Sequence, residues 1–167
     1  NYFLVRKSQL AAYASLPASR ADAFVDLLPF LQDEVRRHKG VYEKFILGLP
    51  NGQFLNTVGG NPHQGFIQTF DNDQTEAIAK SIAKRDYWQK TVGHNIAANS
   101  IVYVSNPMIS YTSGVKQIVV AATVLDEKGL TRGLIGGSLS WVSFENIVSD
   151  IRLGLASEYQ KSGFALV

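Results

Sequence analysis

A chain of 167 residues is long enough for one compact domain with a true core, or for one domain flanked by pieces of its neighbours. Hydrophobic residues make up 46% and charged residues 18%, which excludes a disordered segment, and a net charge of +2 with 16 dispersed Lys and Arg excludes an electrostatic nucleic-acid surface. The absence of cysteine excludes thiol catalysis, disulfides and sulfur-ligated metals.

From Leu4 to about Lys39 the apolar residues fall at helical spacing, at Leu4, Leu10 and Ala14, then Phe24, Leu27, Leu28, Leu31 and Val35. One long helix or two are expected, with a kink at Pro17 or a fresh start near Ser19 to Asp22, a further disturbance at Pro29 and a stop at Gly40. Arg36, Arg37, His38 and Lys39 then sit at the helix end, where cations complement the dipole. Two β-rich runs, Tyr42 to Leu49 and Gln53 to Val58, flank Pro50-Asn51-Gly52, a hairpin signal because its tight turn needs positive φ. A polar stretch follows to Asp73, and Asp73-Gln74-Thr75-Glu76 opens a short helix running toward Lys84.

Beyond a Gly- and Asn-rich loop, strands are expected over Ile101 to Ser105, Gln117 to Leu125 and Gly133 to Trp141, the last two joined by a turn at Asp126 to Gly129. A helix from Ser143, its N-cap, to about Leu153 closes the unit. The order gives an α+β fold with one antiparallel sheet of five to six strands. No apolar run reaches the ~20 residues of a membrane helix, and no signal peptide opens the chain. The start at Asn1 without Met and the apolar end Phe164 to Val167 are expected of a piece of a longer protein, with any membrane segment outside it.

Enzyme chemistry is hard to assemble, and no catalytic residue, metal or cofactor is expected. His38, His63 and His94 are far apart in polar surroundings, and no serine stands in a Gly-x-Ser-x-Gly elbow. The glycines from Gly129 to Gly137 lack the strand-to-helix order that cradles phosphate. Asp71, Asp73 and Glu76 lack the glycine and distal Glu of a calcium loop, so a helix cap is the better reading. A serine hydrolase would need a base beside Ser105, Ser110 or Ser138, and only His94 is a candidate.

Two features carry more. Arg85-Asp86-Tyr87-Trp88 sets a guanidinium beside two large aromatics, which either grips a small carboxylate or stacks Arg85 on a core ring. In the strand from Leu134 to Trp141, alternation places Leu134, Gly136, Ser138 and Ser140 on one face. A face of Gly and Ser does not fill a core, so it is expected to line a cavity with Arg85 and its rings.

Arg85 to Trp88, Val104 to Ser110 with Thr112-Ser113-Gly114, Ile118 to Val124 and Gly133 to Leu139 together resemble the membrane-distal half of a double Cache (dCACHE) domain, over nearly all of residues 20 to 155. The resemblance implies a PAS-like fold and an extracytoplasmic, periplasmic sensor of a membrane-anchored chemoreceptor, histidine kinase or diguanylate cyclase. It implies a long signalling helix over 1–40, a ligand-binding module over 41–155, and over 156–167 the start of a membrane-proximal module, its first strand at Tyr159 to Val167. The ligand-binding positions it implies are Arg85, Tyr87, Trp88, Tyr103, Ser105, Met108, Ser110, Gly136 and Ser138.

Where amino-acid-sensing members carry carboxylates for the ligand ammonium, this chain has Ser110 and Ser138, and Met108 replaces a tyrosine. A buried ammonium without a countercharge costs several kcal/mol, roughly, so a carboxylate lacking an amine or a neutral polar compound is expected to suit the site better. A homodimer through Leu4, Leu10, Tyr13 and Phe24 of the N-terminal helix is also expected. The competing reading is a PAS-like structural or protein-interaction module with no small-molecule ligand.

Overall fold

The computed structural model of the chain describes residues 2–20, 26–50, 52–57, 83–92, 101–110 and 113–161. The N-terminal helical stretch is three helices, α1 (Tyr2–Ala14), α2 (Pro17–Arg20) and α3 (Leu27–Arg37). Pro17 opens α2, a position where its missing N–H costs nothing, so the new start comes two residues before the expected Ser19. Pro29 falls in the first turn of α3 and leaves it undisturbed. Arg36 and Arg37 occupy the last turn of α3, as the dipole argument expects.

Strands β1 (Tyr42–Gly48), β2 (Phe54–Asn56), β3 (Val102–Val104), β4 (Met108–Ile109), β5 (Lys116–Leu125) and β6 (Thr131–Ser140) form one six-stranded antiparallel sheet. Its order is β2-β1-β6-β5-β3, and β4 joins the start of β5. This is the expected α+β, PAS-like arrangement. The β1–β2 hairpin closes where it was expected, with Gly52 at φ 92° and the Leu49 N–H donating to the Gln53 carbonyl at 2.8 Å. The short helix α4 (Asp86–Thr91) holds the Arg85 motif.

The last helix, α5 (Trp141–Lys161), begins earlier and runs further than its sequence pattern indicates. Its first turn is capped by the Ser140 hydroxyl, which accepts the Ser143 N–H at 3.4 Å, so Ser140 replaces the expected Ser143. The Ser143 hydroxyl instead donates to the Gly40 carbonyl. Residues 159–161, expected as strand, continue this helix, and the remainder of that expected strand lies outside the described residues, as does nearly all of the helix expected from Asp73.

The sheet divides the core in two. On one face α1 and α3 pack Leu10, Tyr13, Leu27, Leu28 and Leu31 against Phe45, Leu47, Val120, Ala122, Ile135 and Leu139. Leu10 and Tyr13 are therefore spent inside the domain and offer nothing to a second copy, whereas Leu4 and Val5 are exposed. Phe24 lies outside the described residues. On the other face α4 packs Tyr87 and Trp88 against Ile46, Phe54, Val119, Ala121 and Leu134.

Close approach across the sheet depends on two glycines. A Cβ at Gly137 would stand 2.6 Å from Tyr42 Cε1 and 3.2 Å from Phe45 Cε1, and one at Gly48 would overlap the Trp88 ring. Both neighbours are ring atoms packed in the interior, so neither yields cheaply. Gly137→Ala and Gly48→Ala should each lower the unfolding free energy by about 1–3 kcal/mol, read as a reduced urea midpoint with an unchanged slope.

Candidate functional site

The alternation of β6 places Leu134, Gly136 and Ser138 on the α4 side of the sheet and Ile135, Gly137 and Leu139 on the α1 side, as the sequence pattern requires. The recess on the α4 side is small and partly open, and is lined by Lys44, Ile46, Phe54, Asn56, Arg85, Tyr87, Met108, Ile109, Ser110 and Gln117. Four expected residues thus come together there: Arg85, Tyr87, Met108 and Ser110.

The other five do not line it. Trp88 is 1% exposed and fills the space beneath Gly48. Gly136 is covered by Val119 at 3.2 Å and Ile46 at 3.7 Å from the position its Cβ would take, so the missing side chain admits neighbouring strands instead of a ligand. Ser138 is fully buried, and its hydroxyl donates to Gln117 Oε1. The Ser105 hydroxyl donates to the Asn106 carbonyl at 2.9 Å and accepts the Val119 N–H at 2.8 Å, which fixes the turn after β3. Tyr103 points its hydroxyl to Asp86 Oδ2 at 3.3 Å, and the same oxygen accepts the Asn106 N–H at 2.8 Å. Asp86 therefore ties α4 to the β3–β4 turn, and Tyr103 and Ser105 support the wall from behind.

The principal residue that sequence reasoning missed is Lys44. Simple alternation along β1 would put Tyr42, Lys44 and Ile46 on one face. The register against β6 shifts between Tyr42, opposite Leu139, and Lys44, opposite Ser138. This β-bulge at Glu43 sends Tyr42 to the α1 side and Lys44 to the α4 side. Lys44 is 4% exposed, and its Nζ donates to Ser110 Oγ at 2.7 Å. Burial pulls its pKa below the ordinary 10.5, and the nearby Glu43 acts in the opposite direction.

Arg85, the residue preceding α4, is half-buried at the rim, and its Nη2 donates to the Ile109 carbonyl at 2.9 Å. The two cations are thus anchored on consecutive residues at the end of β4. Asn56, Ser110 and Gln117 add neutral polar groups, and Ile46, Phe54, Tyr87 and Met108 supply apolar wall. None of the described lining residues is acidic. Such a lining suits an anion with a small apolar body. Among the described residues, no group of three or more His, Cys, Asp or Glu is placed to hold a metal. Of the histidines, His38 stands at the end of α3 away from the recess, and His63 and His94 lie outside the described residues.

No protein-family model and no curated protein matches the sequence. Solved structures do match the fold. The ligand-binding domain of the Campylobacter jejuni chemoreceptor Tlp3, in complex with 4-methylisoleucine, superposes with a TM-score of 0.60 at 16% identity, over 88% of this chain and 54% of that one. The ligand-binding domain of the Pseudomonas fluorescens chemoreceptor CtaA, in complex with L-valine, gives 0.59 at 17% identity, over 89% and 57%. The extracellular domain of the putative histidine kinase rpHK1S-Z16 gives 0.56 at 14% identity, over 89% and 54%. The chain therefore has the PAS-like Cache fold of these sensory domains and spans just over half of their length. Among the described residues, no helix is long and apolar enough to cross a membrane.

The lowered Lys44 pKa sets a sign for stability. The unfolded chain binds this proton more tightly than the folded one, so the contribution of Lys44 to stability rises as pH climbs from the lowered value to 10.5. Below that window the buried charge exerts its full cost. Lys44→Met should raise the melting temperature of the ligand-free protein at neutral pH by about 2–4 °C, the shift that roughly 1 kcal/mol produces in a chain of this size. The advantage should shrink toward pH 10.5.

Proposed function

We propose that this chain is the ligand-binding module of an extracytoplasmic, periplasmic sensor in a membrane-anchored signal-transduction receptor, and that it binds a small carboxylate without catalysing its conversion. The observation that carries this reading is the recess beneath the sheet, which puts Lys44 and Arg85 around a partly apolar space on a fold otherwise seen in chemoreceptor and histidine-kinase sensory domains. Residues 41–155 form the sensing module in this reading, and the helices before them the signalling element. The neighbouring structures hold amino acids such as L-valine and isoleucine. At the two positions where the resemblance places carboxylates for a ligand ammonium this chain has Ser110 and Ser138, which favours a carboxylate without an amine.

Signal passes as a shift in population between two arrangements of α1. Lys44 touches the ligand on one side of the sheet, and two residues away Tyr42 holds α1 on the other, its hydroxyl donating to Gln9 Oε1 at 2.8 Å. The bulge between them is the local irregularity through which a displacement of Lys44 reaches Tyr42. Pairing of two copies through α1 would use Leu4 and Val5, the apolar residues this helix leaves exposed.

A thermal-shift screen of small carboxylates should find compounds that raise the melting temperature, with the rise absent in Arg85→Ala. The same compounds should slow amide exchange in α1. If no small molecule shifts the melt, the fold serves here as a structural or protein-binding module. If melting shifts with no change in α1 exchange, the helix is not the output.

A further inference from the structure

We propose that the polar cluster joining α1, α3 and β1 is a proton-operated switch, in which uptake of a proton by His38 breaks its bond to Gln9 and passes the ring to Glu34. It works whatever fills the recess, so its failure leaves the sensing role untouched.

The device begins with the orientation of one amide. Gln9 Oε1 accepts from Arg6 Nη1 at 2.9 Å and from the Tyr42 hydroxyl at 2.8 Å. A guanidinium only donates, so the oxygen of Gln9 must face Arg6, and the nitrogen faces the Tyr13 hydroxyl at 2.5 Å and His38 Nε2 at 3.1 Å. Both hydrogens of that nitrogen are then in use, one on each neighbour. His38 Nε2 is therefore an acceptor, and the neutral ring carries its proton on Nδ1.

The same ring nitrogen lies 3.4 Å from Glu34 Oε2, a carboxylate oxygen that also takes the Tyr13 hydroxyl. While the ring is neutral these two acceptors sit side by side without a bond. Gln9 and Glu34 thus make opposite demands on one atom, the amide requiring a lone pair and the carboxylate a hydrogen. A proton on Nε2 sets two donors against each other at Gln9, and a shift of about 0.5 Å brings the charged ring into hydrogen-bond distance of Glu34. His38 follows the last residue of α3, its N–H held by the Glu34 carbonyl at 3.0 Å, and its side chain is 37% exposed, so the proton reaches it directly from solvent.

Other charged and titratable groups face the ring from each element. On α3 the exposed Arg37 pairs with Glu34 Oε1 at 3.3 Å, and Lys39 beyond the helix is exposed. On α1 Arg6 reaches the cluster through Gln9 and over the faces of Tyr2 and Tyr42. Tyr13 of α1 and Tyr42 of β1, the latter edge-on to the imidazole at 6.2 Å, are both raised by burial first and stay protonated across the neutral range.

Gln9 is the side chain through which the middle of α1 holds both β1 and α3, so release by His38 loosens that helix. In the sensing role, Tyr42 brings a displacement at the recess to the oxygen of this amide, and His38 brings the proton to its nitrogen. One side chain receives both inputs.

The test is nitrogen-15 spectroscopy of the imidazoles between about pH 5 and 8, with amide exchange in α1 corrected for its intrinsic pH dependence. At the alkaline end the His38 ring should be the Nδ1–H tautomer. On acidification the protection of residues 9–14 should fall about fivefold, the effect of one hydrogen bond. The fall should vanish in His38→Gln and persist when His63 and His94 are both changed to glutamine. An Nε2–H tautomer at the alkaline end, or equal α1 protection at both ends of the range, overturns the switch. So does a fall that survives in His38→Gln. The tautomer and the wild-type exchange decide even if the variant does not fold.

Discussion

A lysine ammonium almost wholly removed from water, in the middle of a β-sheet, is the constraint around which this domain is organised. Lys44 could have been a leucine at no cost to the sheet, and the neighbouring positions Ile46 and Phe54 show how readily that face accepts apolar side chains. Retaining a charge there weakens the ligand-free fold, because burial disfavours the charged form more than the surroundings restore it. In the sensing role proposed above, an anion entering the recess would relieve a desolvation cost already built into the fold, as well as adding new contacts.

The same strand carries the connection to the other face. Without the bulge at Glu43, Tyr42 and Lys44 would share a side, and the recess and the helices would meet only through the evenly packed middle of the sheet. With it, Tyr42 enters a polar cluster between α1, α3 and β1. Gln9 Nε2 donates to the Tyr13 hydroxyl at 2.5 Å, Tyr13 donates to the buried Glu34 carboxylate, and His38 Nε2 lies 3.4 Å from the same carboxylate oxygen. Arg6 covers the rings of Tyr2 and Tyr42. Burial, as its main cause, pushes the Tyr42 phenol up to about 12, and burial followed by the Glu34 hydrogen bond raises Tyr13 as well, so both stay protonated donors at neutral pH. A cluster of directional bonds has few alternative arrangements, which makes it a better two-state element than the leucines around it.

Local pattern was a sound guide where structure is determined locally. The Pro50-Asn51-Gly52 hairpin, the Asp126 turn and the face assignment of β6 follow from turn chemistry and alternation, and Arg85, Tyr87, Met108 and Ser110 line one recess. What was illegible depends on partners distant in sequence. Lys44 reads as a routine strand lysine because the alternation that puts it beside Ile46 does not reveal which face is covered, and the bulge that parts it from Tyr42 exists only in the register against β6. Gly136 reads as cavity wall, because the residues that close over it, Ile46 and Val119, come from the two flanking strands. Trp88 reads as a ligand contact, because its true neighbour is the bare backbone of Gly48, forty residues earlier. The strand expected at Tyr159 came from the resemblance and not from periodicity, and the helix simply continues there.

The two serines that stand where amino-acid sensors of the Cache type carry carboxylates take on a different meaning beside Lys44. Read alone, Ser110 and Ser138 are losses, positions where a countercharge for an ammonium has disappeared. In place, Ser110 accepts the Lys44 hydrogen bond and Ser138 orients Gln117. A carboxylate at position 110 would form a short, buried ion pair with Lys44 and cancel the charge that an anionic ligand needs. Neutral serine satisfies the ammonium geometrically without adding a charge of its own.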